Sequence, residues 1–136
     1  MNNKFFIYII CILFFSCNSP IQRQELSETQ IKKINSIHQT FEEVYPISIE
    51  ETILNFKQDL DIDKEINLWI KMEETFITVN QEKGYNSISQ KKEVFKLILM
   101  RTMMSKEEVK NNLELKLFNM EDIEYILRLF ESKVMF

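Results

Sequence analysis

Asp59, Asp61 and Asp63 stand at alternate positions, a spacing that can do chemistry. Calcium loops open this way because side chains at places one, three and five converge on one ion. The pattern then breaks. Place six, where a sharp turn needs Gly, holds Lys64, and place twelve, where a bidentate Glu closes the shell, holds Ile70. A loop in which Asp63 caps the following helix accounts for the same residues. His38 is the single histidine. It has no cysteine partner, and spacing alone assembles no Ser-His-Asp set around it, so it reads as a structural residue beside an apolar helix face.

Four acidic pairs, Glu42-Glu43, Glu50-Glu51, Glu73-Glu74 and Glu107-Glu108, offer the residue types of glycoside cleavage. Adjacent residues on a helix point about 100° apart, however, and cannot both flank one bond. The pairs at 50–51 and 107–108 also fall in first turns, where negative charge complements the helix dipole. They read as solvated faces. A soft apolar set, Phe95, Met100, Met103, Met104 and Met120, has the character of a lipid pocket or a partner-helix surface, although such residues at helical spacing more often form core.

The 136 residues leave room for one domain. A hydrophobic share of 45% and a charged share of 28% belong to a folded chain and exclude a disordered one. One Gly and two Pro are too few for the many turns of an all-β fold and favour helices. The net charge is −4, and the densest basic spots are only Lys32-Lys33 and Lys91-Lys92. Nucleic acid is not an expected partner, because its affinity comes mainly from phosphate neutralisation.

The start of the chain has the plan of an export signal. Lys4 gives the n-region one positive side chain, and residues 5–15 form an apolar run broken only by Tyr8 and Cys11. About 11 residues fall well short of the roughly 20 that a spanning helix requires. The ending Leu13-Phe14-Phe15-Ser16-Cys17 resembles the lipobox of bacterial lipoproteins. In that family a small residue precedes a cysteine that is diacylated before the signal peptidase cuts in front of it. Ser16 fits that place, Leu13 lies one position further upstream than usual, and Phe14 and Phe15 depart from the strictest pattern. Cys11 is a poorer acceptor, since Tyr8-Ile9-Ile10 offers no small residue and the preceding apolar run is too short.

The resemblance implies lipid attachment, with acyl chains such as palmitate, at Cys17. Residues 1–16 would be removed as a signal peptide, residues 17–26 would be the lipidated cysteine and a tether, and residues 27–136 would be a helical domain. Removing Lys4 brings the charge to about −5. No thiol would remain free for a disulfide, a nucleophile or a Cys-based metal site. By the sorting rule of Gram-negative envelopes, Asn18 after the cysteine permits transfer to the outer membrane, with a periplasm-facing position as the default. The competing reading is an ordinary secretory signal with an incidental cysteine at its end.

Ser residues placed three before Glu or Gln mark helix starts through the capping box: Ser27 with Gln30, Ser48 with Glu51, Ser87 with Gln90 and Ser105 with Glu108. Apolar spacings of three and four predict a first helix over 28–44 (Ile31, Ile34, Ile37, Phe41, Val44), stopped by Pro46. A second over 49–60 carries Ile49, Ile53, Phe56 and Leu60. A third, from after Asp63 to 82, carries Ile66, Trp69, Met72, Phe76 and Val79, flanked by Leu68, Ile70 and Ile77. Gly84 follows at a position suited to positive φ. A fourth over 88–104 is apolar nearly all round from Val94 to Met100 and is expected at the centre. A fifth over 106–118 carries Val109, Leu113 and Leu117, and a sixth after Asn119 carries Ile123, Ile126, Leu127, Phe130 and Val134. The expected fold is an all-α bundle of five to six short helices, with short connections joining antiparallel or steeply crossed neighbours. Residues 117–133, with their acidic helix start and Leu129-Phe130-Glu131-Ser132, resemble the end of a family of small helical envelope proteins of unknown function. That family usually has Pro after the Ser, where this chain has Lys133.

These readings converge on a membrane-anchored lipoprotein of the cell envelope that holds a protein partner and is not an enzyme, with no cofactor and no metal implied. The alternatives are a carrier or sensor of an apolar ligand between helices and, further off, a wall-degrading enzyme. Cys17→Ser should abolish acyl mass on the protein, with the leader persisting or cut elsewhere, whereas Cys11→Ser should match the wild type. Acyl mass retained in the first variant, or lost in the second, would overturn the assignment.

Overall fold

Helix starts are set by side chains that accept the otherwise unpaired first-turn amides. In the computed structural model, which describes residues 25–56, 61–112 and 117–134, six helices are present and no strand occurs among those residues. They are α1 (Glu28–Phe41), α2 (Ile49–Phe56), α3 (Ile62–Lys83), α4 (Ile88–Met103), α5 (Lys106–Lys110) and α6 (Met120–Lys133). Full capping boxes form at Ser27, Ser87 and Ser105. At Ser27 the Gln30 amide donates to Oγ at 3.2 Å, and the Ser27 amide donates to Gln30 Oε1 at 2.9 Å. At Ser48 the Glu51 amide donates to the hydroxyl at 3.3 Å, the first half of the same motif. Asn119 caps α6 by accepting from the Asp122 amide at 2.8 Å.

Three boundaries differ from the sequence reading, each for a local reason. The cap of α3 is Asp61, which accepts from the Lys64 amide at 3.2 Å, and Asp63 lies inside the first turn. Starting there makes Ile62 helical and buries it with Ile66 and Trp69 on one face. α1 stops at Phe41, and the Val44 and Tyr45 amides both donate to the Phe41 carbonyl in a closing turn ahead of Pro46. α5 ends at Lys110 instead of reaching residue 118, with Asn111 as its C-cap. Asn111 and Asn112 have short side chains that compete with helical backbone bonding. Leu60 and Leu113 lie outside the described residues, as does the side chain of Phe56.

Gly84 ends α3 in the left-handed conformation, φ 66°, the only positive φ among the described residues. Its amide and that of Tyr85 both reach the Asn80 carbonyl, so the last-turn acceptor is shared across the turn.

The relative directions of the helices follow from their polar ties. Gln30 Nε2 donates to Asp63 Oδ1 at 3.0 Å, and the Thr40 hydroxyl donates to the Glu73 carboxylate. Both ties have the same offset along the chain, so α1 and α3 run parallel, with α2 as the crossover. Lys83 pairs with Asp122 and Lys133 with Glu74, which makes α6 antiparallel to α3. The Leu117 amide reaches Glu93 and Arg101 reaches Glu131, so α4 runs alongside α6.

α3 packs on α1, α2, α4 and α6, and is thus the hub. The expected central helix, α4, packs on α3, α5 and α6 and sends Phe95 into the common core. There Phe41 has no exposed surface and lies 4.9 Å from Phe95, 5.1 Å from Phe76 and 6.0 Å from Trp69, ring centre to ring centre. Tyr45 adds contacts to Trp69 and Phe95, and its buried phenol is satisfied by Thr52 Oγ1 at 3.0 Å. Fully buried Thr75 donates to the Lys71 carbonyl at 2.9 Å. Ile31 of the α1 stripe and Ile77, which flanks the α3 stripe, stay on the surface at 38% and 40% exposure.

Leu97 has no exposed surface. Leu97→Ala should therefore cost about 2–5 kcal/mol in denaturant unfolding, through lost burial and the cavity left behind. A loss below about 1 kcal/mol would show that α4 does not line the core.

Candidate functional site

The residues proposed for chemistry do not assemble. Cys11, Cys17 and Asp59 lie outside the described residues. Asp61 is a helix cap and Asp63 accepts from Gln30. His38 is half-buried in the last turns of α1, and its buried Nδ1 has no hydrogen-bond partner. Among the described residues no group of three or more His, Cys, Asp or Glu is placed to hold a metal ion.

The acidic pairs are dispersed. Glu42, Glu43, Glu50 and Glu51 are exposed. Glu73 accepts from Thr40, while Glu74 pairs with Lys71 and Lys133. Glu108 is occupied by its capping box, where the Ser105 amide and hydroxyl hold its carboxyl below the ordinary value. Glu107 reaches Lys110 at 3.8 Å. The soft apolar set also divides. Phe95 and Met100 are core, Met104 is partly buried, and Met103 and Met120 are exposed at 38% and 50%.

Three acids of α6 are matched by cations from three other helices. Lys83 of α3 approaches Asp122 at 3.2 Å and also sits 4.7 Å above the Tyr125 ring. Lys110 of α5 bonds Glu124. Arg101 of α4 donates to Glu131 at 2.8 Å and to the Met104 carbonyl at 3.1 Å, with Lys106 at 3.9 Å from the same carboxylate. Partly shielded pairs like these fix the rotation of α6 about its axis more than they add stability. The amphipathic face of α6 then meets the core through Ile123, Ile126, Leu127 and Phe130.

The two ends of the bundle differ. The chain enters the described fold at residue 25, beside the Gln30–Asp63 tie at the start of α3. Twenty-two residues later, about 33 Å away along α3, is the opposite end. There Tyr85 stacks on Phe118 at 4.8 Å, and Leu117 lies near Glu93. Ile88, Leu117 and Met120 at this end are exposed at 52%, 56% and 50%. Burial, and after it the negative charge of Asp122, hold the Tyr85 hydroxyl above its ordinary pKa, against a smaller opposing effect of Lys83. Sequence reasoning reached only Met120 of this surface, as one of the soft apolar set. Ile88 and Met120 open their helices as Ile49 and Ile62 do, yet the latter two are buried, so position after a cap does not separate them.

No family model, curated protein or solved structure matches this chain. Among the described residues no helix is long and apolar enough to cross a membrane.

The Lys110–Glu124 pair makes a pH prediction. Its hydrogen bond holds the Glu124 carboxyl below its ordinary value and the Lys110 ammonium above its own. The pair's stabilisation should be lost as pH falls through the lowered carboxyl pKa, and lost again as it rises through the raised ammonium pKa. Glu124→Gln should thus lower Tm slightly near neutral pH and converge with the wild type in acid. A Tm difference that does not shrink in acid would contradict the pairing.

Proposed function

We propose that this protein is a lipid-anchored docking module of the bacterial cell envelope and not an enzyme. In this reading Cys17 carries the acyl chains, the chain leads into α1, and the bundle offers its far end to a protein partner. The carrying observation is that exposed Ile88, Leu117 and Met120 share the end of α3 opposite the point where the chain enters at residue 25. Large apolar side chains exposed together mark interaction surfaces more often than isolated ones do.

Since no described helix can span, the acyl chains would carry the attachment, and two or more chains suffice for stable anchoring. Asn18 permits transfer to the outer membrane, with its periplasmic face as the default. The reading as an apolar-ligand carrier has less support. Val94, Leu97 and Met100 have no accessible surface, so no void the size of a water molecule adjoins them.

Affinity capture of the native lipidated protein should recover a specific envelope protein. The double variant Leu117→Glu, Met120→Glu should lose it while keeping wild-type helicity and Tm. Undiminished capture by the folded double variant, or no specific partner under several growth conditions, would refute the proposal.

A further inference from the structure

No further inference is drawn: the strongest candidate, the exposed apolar patch of Ile88, Leu117 and Met120 beside the Tyr85–Phe118 stack, belongs to the surface already proposed for docking, and nothing in the structure shows what covers it.

Discussion

Everything in this bundle depends on covering α3. Its buried stripe of Ile66, Trp69, Met72, Phe76 and Val79 is widened by buried Ile62 and by partly buried Leu68 and Ile70, and a 22-residue helix with that much apolar surface cannot be satisfied by a single neighbour. α1 approaches from one side and inserts Phe41 among Trp69, Phe76 and Phe95, so three helices share one aromatic contact. Burying each such side chain contributes about 1.5–3 kcal/mol, and favourable ring geometry adds about 0.5–1.5 kcal/mol per pair. α6 closes another side. The parallel course of α1 and α3 is a consequence, because a short α2 must carry the chain back to the start before α3 can begin.

The surface charges serve this arrangement. Lys83, Lys110 and Arg101 come from three separate helices and meet Asp122, Glu124 and Glu131 along α6. One helix is thereby registered against the rest of the bundle by directional contacts laid over a non-directional core. Of the acids that offered hydrolytic chemistry, those at 50–51 and 107–108 serve first turns and a cap, and those at 73–74 take polar partners. Glu74 and Glu108 illustrate both fates.

Much of the fold was legible because its signals are local. Ser-x-x-Gln and Ser-x-x-Glu boxes depend on four residues, and Gly84 is the single glycine at the one turn that requires positive φ. The stripes of α1, α3 and α6 were readable for the same reason. The errors arose where tertiary contact chose between local options. Asp61 and Asp63 are both good caps, and only the burial of Ile62 selects the first. Val94 to Met100 is more continuously apolar than any run in α3, yet α3 is the hub, since length and the number of neighbours outrank local hydrophobicity. The exposed far end was legible only in Met120, one of the soft apolar set. Leu117 looked like a core position at helical spacing from Val109 and Leu113, but α5 ends at Lys110 and leaves it 56% exposed.

On the proposed account, the acylated segment precedes α1 and the partner is held at the far end of α3, about 33 Å along that helix. Site-specific photo-crosslinking in living cells tests that division most directly. A photoreactive residue at Met120 should yield a discrete crosslinked protein, whereas one at exposed Lys32, near the start of α1, should yield none. Equal crosslinking from both positions, or a discrete product from Lys32 alone, would contradict the account.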